Sequence, residues 1–271
     1  MTKYMLNLKK QSGLQLTFDD DAIKFGKDVV GEPVHARTLE DARPYLMDKT
    51  ATSRRKNLYL MYRDVHCLQD ESLFKKHGIR YDITVLFPGT LGGKKGEYIR
   101  TIGHTHPAAE IYEVLAGEAM FAVQQIGAKQ NDVFYIAAAK GEKVLIPSGY
   151  GHITINVGTG PLILADLFSD SIKSDYSFFK KRRGTAFWVL PSPWEAEGMT
   201  LAENMSHKDA GEVALGVPAD LSKLGFPKKT PLYTLFTEDP IRFDILTNPK
   251  KEVIATKKTP LFTVNWRGKL A

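Results

Sequence analysis

This chain has one cysteine in 271 residues, Cys67. That excludes an intrachain disulfide and a cysteine-rich metal knuckle. It has no run of about 18 apolar residues, the length a membrane-spanning helix needs, and no apolar stretch near the N-terminus of the kind a secretory leader carries. A cytoplasmic protein with no membrane partner is expected. A strong excess of one charge is also lacking. Lys and Arg number 37 against 31 Asp and Glu, a formal net charge of +6. The densest basic runs, Arg54-Arg55-Lys56 and Lys180-Lys181-Arg182-Arg183, read as solvated surface or chain junctions, so no nucleic-acid partner is expected. The mild positive field still suits a small anion such as a phosphorylated substrate.

At 43% hydrophobic and 25% charged residues, the chain can bury a core large enough for one domain, or for one domain with substantial additions. From Tyr81 onward, short β-rich runs alternate with turn residues. Tyr81 to Phe87 is closed by Pro88-Gly89, Gly92 to Gly96 is a loop, and Tyr98 to Thr101 and Glu110 to Leu115 follow, with Gly117 as a turn. Ala119 to Gln125, Val133 to Ala138, Val144 to Ile146, Ile153 to Ile155 and Leu162 to Phe168 complete the succession. Many short strands at this spacing predict an all-β-dominated double-sheet barrel of the jelly-roll kind, with N- and C-terminal extensions. The expected boundaries are an N-terminal arm over 1–57, the barrel over 58–180 and a C-terminal extension over 181–271. In the arm, Asp19-Asp20-Asp21 reads as a turn, Thr38 as the N-cap of a short helix, and Asn57 to Tyr62 as a strand. In the extension, prolines 191 and 193 suggest a linker. A helix is expected at Asp220 to Leu224, and strands at Leu232 to Phe236 and Leu261 to Val264. Each of those strands follows a Lys-Lys-Thr-Pro repeat, at 228–231 and 257–260. The extension carries no catalytic motif and is expected to serve packing or oligomerisation.

The chemistry concentrates in two short segments. The first, Gly103-His104-Thr105-His106-Pro107-Ala108-Ala109-Glu110, reads H-x-H-x₃-E and runs on to Gly117. On a strand, His104 and His106 share one face, and an even step of four keeps Glu110 on it. The second runs from Gly141 through Pro147 and Gly149 to His152 and Asn156, with His152 expected on another strand. Three imidazoles and one carboxylate then converge as a site for one divalent metal, Fe, Mn, Ni, Co or Zn, with coordination positions left for a substrate. These are the two halves of the cupin motif, with every defining position filled, which specifies the expected barrel as a cupin double-stranded β-helix. Glu113 falls at the wrong strand parity, and His35, His66, His77 and His207 have no partner pattern, so these are expected to be surface or structural.

The segment from Tyr81 to Tyr176 resembles the cupin-type, archaeal-like glucose-6-phosphate isomerase family. The resemblance rests on Thr84-Val85-Leu86-Phe87-Pro88-Gly89, on Gly96, Tyr98, Thr101, Gly103, His104 and His106, on Glu110-Ile111-Tyr112, on Gly149, His152 and Asn156, and on Asp175-Tyr176. It implies a metal held by His104, His106, Glu110 and His152. It implies a phosphate held by Thr84, Thr101 and Gly103, and a sugar lined by Tyr112 and Tyr176, with Tyr59 less firmly placed. Glu110 would then move a proton between C1 and C2, with a metal-assisted hydride shift as the competing route. Two positions depart from the family. Phe168 stands where a tyrosine is common, and the extension past about residue 180 is absent from the shortest members. The readings left open are another cupin sugar or sugar-phosphate isomerase of the mannose or lyxose type, an Fe(II) dioxygenase, and a non-enzymatic sugar-phosphate binder. Because sheet edges need cover, a homodimer is expected.

Overall fold

The computed structural model describes residues 5–93, 96–127, 131–192, 198–258 and 261–268. Two six-stranded sheets carry the fold. The first is ordered Lys143–Ile146, Glu110–Ala116, Leu162–Ser169, Ile79–Leu86, Asn57–Tyr62 and His35–Thr38, every neighbour antiparallel. The second is ordered Phe262–Gly268, Ala210–Pro218, Asn131–Ala139, Glu118–Gln125, Tyr150–Asn156 and His104–Thr105. Its one parallel pairing joins Asn131–Ala139 to Ala210–Pro218. Among the described residues the sheets share no strand, the double-sheet arrangement of a jelly roll.

Alternation along the strands explains the packing. Between the sheets lie Leu86, Val114, Val144, Ile146 and Leu164 from the first and Phe121, Val123, Phe134 and Ile136 from the second. The opposite side chains of the first sheet, among them Tyr81, Ile83, Val85, Ile111 and Leu167, pack on Leu8, Leu14 and Phe18 from the N-terminal arm and on Leu232, Phe236, Phe243 and Leu246 from the C-terminal segment. The outer face of the second sheet, with Ala122, Tyr135, Ile153 and Ile155, packs on Tyr45, Phe179 and Phe187. Both faces of both sheets are therefore covered, and Leu162–Ser169 is buried at all eight positions.

In the arm, the strands Leu16–Asp19 and Ala22–Phe25 are joined at Asp20, which adopts a positive φ of 54°. Thr38 caps the helix Leu39–Ala42 in a reciprocal capping box with Asp41. The C-terminal segment differs from expectation. Leu232 to Phe236 is not a strand but the start of the helix Leu232–Glu238. Leu232, Tyr233, Leu235 and Phe236 are buried, an i, i+1, i+3, i+4 pattern that belongs to a helix face, and Pro231 sets the helix start. The second copy of the repeat precedes the strand Phe262–Gly268, so like sequences fold unlike according to what they pack against; Thr259 and Pro260 lie outside the described residues. Asp220 caps a 3₁₀ turn over Leu221–Leu224 through Ser222 N at 2.9 Å. The expected linker is in part a hairpin, since Phe187–Pro191 pairs with Met199–Glu203; Pro193 lies outside the described residues, as do Lys94 and Lys95 of the expected loop.

Candidate metal centre

The four residues singled out by spacing converge. Each of His104, His106, Glu110 and His152 offers one ligand atom, and these atoms all lie within 4.8 Å of one another. Glu110 Oε2 sits at the middle, 2.8 Å from His106 Nε2, 3.2 Å from His152 Nε2 and 3.7 Å from His104 Nε2.

They converge by a different route from the one strand parity suggests. His104 belongs to the two-residue strand His104–Thr105, which pairs with Tyr150–Asn156 so that His104 faces His152 directly. The chain then leaves that sheet. His106 stands in the connection, and Glu110 opens the strand Glu110–Ala116 of the other sheet. The even step from His106 to Glu110 spans a crossing between sheets, not a continuous strand. The site therefore sits at one end of the sandwich, where the two sheets exchange chain.

Glycines let these strands approach their support. A Cβ on Gly103 would come within 2.6 Å of the Phe179 ring, and one on Gly151 within 2.7 Å. Phe179, fully buried, thus lies against the backbone just before each of the facing histidines. Gly149 adopts a φ of 76°, which reverses the chain after Pro147 and starts the His152 strand. Thr105 N and Asp175 O, and Asp175 N and Thr105 O, bond at 2.9 and 2.8 Å. That bridge sets the Tyr176 ring 5.8 Å from the His104 ring. The Asp175 carboxylate is spent on Ser177, accepting from its N and Oγ.

The donor set fits a divalent ion. His106 Nδ1 bonds Ala108 O at 2.5 Å, which fixes the ring with Nε2 toward Glu110, the outer-shell arrangement metal-binding histidines use. Burial, and the neighbouring His104, push His152 down to about 4, so its ring is neutral and ready to ligate. Tyr112 Oη lies 2.9 Å from His152 Nε2. Burial pulls His106 down, but the Glu110 carboxylate outweighs it and raises the ring above its ordinary value. Burial likewise disfavours the Glu110 anion, yet the bonds from the three imidazoles hold its carboxyl well below the usual range. An ion with bonds of about 2.1 Å brings its donors to roughly 3–4 Å of one another, close to the spacing already present.

The centre opens into a pocket of ≈ 80 Å³, smaller than the usual small-molecule site. Thr84, Thr101, Tyr112 and Tyr176 line it with His104 and Glu110, and Tyr59 joins them. Tyr59 Oη accepts from Ile102 N at 3.1 Å. Thr101 Oγ1 accepts from Thr154 N at 3.0 Å, leaving its own proton to donate. Gly103 is not among the lining residues; its packing against Phe179 accounts for the glycine. Phe168 lines the pocket with its ring parallel to that of His106 at 6.3 Å, and the Arg80 guanidinium lies 4.7 Å from its centre.

A wall of charge went unread in the sequence. Asp82, Asp166 and Tyr112 face one another on three adjacent strands, by register. Arg80 grips Asp82 with Nε–Oδ1 at 2.8 Å and Nη2–Oδ2 at 2.9 Å, and Asp64 N adds a bond at 2.9 Å. Asp166 lacks such a clasp. Burial, and then the charges of Glu110 and Asp82, push its carboxyl well above the usual range. A lone carboxylate inside the apolar run Leu162 to Phe168 was the available signal, because burying a charge is costly unless it has work to do.

Glu113 points away from the centre, as parity indicates. It pairs with Lys143 at 2.9 Å, both side chains 3% exposed. His66 and His207 are buried and bond backbone carbonyls, at Asp64 O and Gly184 O. Among the described residues no helix is long and apolar enough to cross a membrane.

Comparison with known proteins adds the lineage. The chain is 27% identical over 173 residues to the glucose-6-phosphate isomerase of Pyrococcus furiosus, covering 62% of this chain and 84% of that protein. It is 27% identical over 176 residues to the enzyme of the same name from Thermococcus litoralis, covering 63% and 85%. Among solved structures, oxalate decarboxylase from Bacillus subtilis overlaps with a TM-score of 0.32 at 18% identity, over 43% of this chain and 27% of that one. The model of the family Glucose-6-phosphate isomerase (GPI) matches residues 36–197, which take in both half-motifs and the whole first-sheet wall of the pocket. By that match over more than half its length, the chain belongs to the glucose-6-phosphate isomerase family.

Proposed function

We propose that this protein is a metal-dependent aldose–ketose isomerase interconverting glucose 6-phosphate and fructose 6-phosphate. The observation that carries the reading is the convergence of three imidazoles and one carboxylate on the wall of a pocket, in a chain of this family. A divalent ion held by His104, His106, Glu110 and His152 supplies a Lewis acid for neighbouring sugar oxygens. Glu110, kept as a carboxylate by its three imidazole neighbours, would take the proton from C2 of the open-chain aldose and return it to C1, while the hydroxyl proton of O2 passes to O1 through the enediol. Tyr112 and Tyr176 bracket the sugar, and Asp166 receives one of its hydroxyls. The hydroxyls of Thr84 and Thr101 donate to the phosphate, as neutral donors that need no buried counter-charge. Gly103 serves this end by holding the backbone of His104 in place.

The protein works as a cytoplasmic homodimer in this reading. The strand His35–Thr38 supports the dimer: it ends the first sheet with His35 and Ala36 exposed, an edge that needs cover. Light scattering that gives a monomer at micromolar concentration counts against it.

The functional test is a coupled assay with metal-loaded protein on glucose 6-phosphate, mannose 6-phosphate and free glucose. Turnover of glucose 6-phosphate far above the other two is expected. Equal rates on glucose and its phosphate remove the phosphate site and point to a free-sugar isomerase. No turnover of any sugar phosphate points to a binding protein.

A further inference from the structure

The C-terminal segment lies beyond the family match at residue 197, yet it bonds to groups close in the chain to two of the metal ligands, at Ser148 before His152 and at Glu113 after Glu110. Glu252, on the helix Pro249–Lys258, is 3% exposed. Its Oε1 accepts from Ser148 N at 2.8 Å and from Ser148 Oγ at 3.0 Å. Ser148 stands in the Pro147-Ser148-Gly149 turn, four residues before His152. The second link runs through Glu113, three residues after Glu110 on the same strand. Glu113 accepts from Leu232 N at 2.8 Å, at the N-terminus of the helix Leu232–Glu238, and from Lys143 Nζ at 2.9 Å. Lys143 Nζ in turn donates to Pro227 O and Lys228 O at 3.0 and 3.2 Å. A buried carboxylate is costly unless donors meet it. Solvated packing of a peripheral helix has no need of one, and here the donors belong to a turn of the metal site.

We infer that Glu252 is a positioning residue: through Ser148 it fixes the turn that aims His152, so that the C-terminal segment forms part of the metal site it does not touch. The inference rests on the four-residue metal centre. It does not rest on the identity of the sugar.

The test uses full-length protein and Co²⁺. The dissociation constant for Co²⁺ is measured by competition with a chelator, and the visible ligand-field spectrum reports the geometry of the bound ion. Glu252→Ala is expected to weaken Co²⁺ binding by about tenfold, the low end for a group outside the ligand shell, and to shift the spectrum. Glu252→Gln keeps an oxygen for Ser148 and is expected to stay within about threefold of the unaltered protein. Phe243→Leu is the control. Phe243 is buried within the same segment, against Phe226 and Phe236, so it should lower the Tm and leave affinity and spectrum alone. Should Glu252→Ala yield no folded protein, Glu252→Asp withdraws the carboxylate from Ser148 with the charge retained and is read in the same way. Unaltered affinity and spectrum in Glu252→Ala, or equal changes in Phe243→Leu, overturn the inference. Failure of the unaltered protein to take up Co²⁺ overturns the metal centre and this inference together. Cobalt uptake without isomerase activity refutes the isomerase reading alone, and the affinity comparison still decides the role of Glu252.

Discussion

The two sides of the pocket are built differently. On the histidine side, four ligands come from two short segments, each with its own spacing, turn glycine and backing contact. On the opposite side, Arg80, Asp82, Asp166 and Phe168 come from two strands more than 70 residues apart and meet only because Asp82 and Asp166 are direct neighbours in the sheet register. The first arrangement is local and makes a motif. The second is a product of topology.

If the histidine side holds the metal and the wall meets the sugar, substitutions on the two sides should fail in different ways. The largest effect is expected from His152→Ala. Loss of a ligand should weaken metal binding by more than about 100-fold, and metal content by elemental analysis should fall together with activity. Full metal occupancy in that variant would break the comparison on its histidine side.

Asp166→Leu should leave metal content unchanged and lower kcat/KM by about 100-fold, the high end for a bond to a charged or strongly polarised group. A loss of metal equal to that in His152→Ala would show that the wall belongs to the metal centre and erase the distinction.

Acid should act on metal affinity through the histidine side. His106 is held above its ordinary value by Glu110 and takes up a proton as pH falls through that raised value. His152, lowered to about 4, stays neutral over the same interval. A proton on His106 excludes the metal, so affinity is expected to be full above the raised value and to fall by up to about tenfold per pH unit below it. Metal titrations between pH 8 and 5.5, with affinity independent of pH, would contradict the assignment of His106.

The smallest effect sharpens the phosphate end. Thr101→Val is a poor probe, because Thr101 Oγ1 also accepts from Thr154 N and its loss would leave a buried N–H unmet. Thr84 carries no such bond among the described residues. Thr84→Val should cost about 1.5 kcal/mol, roughly tenfold in kcat/KM, for glucose 6-phosphate and not for glucose.

The same contrast explains what could be read from the sequence. His104, His106, Glu110 and His152 were legible because a ligand set needs fixed spacing and fixed turns, and both leave marks within a dozen residues. The strands of the sandwich were legible from alternation and from turn residues. Even so, the reason the four ligands meet was misread: strand parity put His106 and Glu110 on one strand, whereas the chain changes sheets between them. The pairing of Asp82 with Asp166 was missed because cross-strand register has no local signature, although the lone carboxylate of Asp166 in an apolar run marked that position. The helix at Leu232 was misread as a strand because its apolar face is completed by the first sheet, far away in the chain. The role of Glu252 depends on Ser148, 104 residues earlier, a separation no local pattern reveals.

The most direct test of the account is a titration of metal-free protein with Mn²⁺ or Co²⁺ while glucose 6-phosphate turnover is followed. Activity should be absent without metal, rise in proportion to metal added and level off at one ion per chain. Full activity in protein stripped of metal, or metal bound at that stoichiometry without turnover, would contradict it.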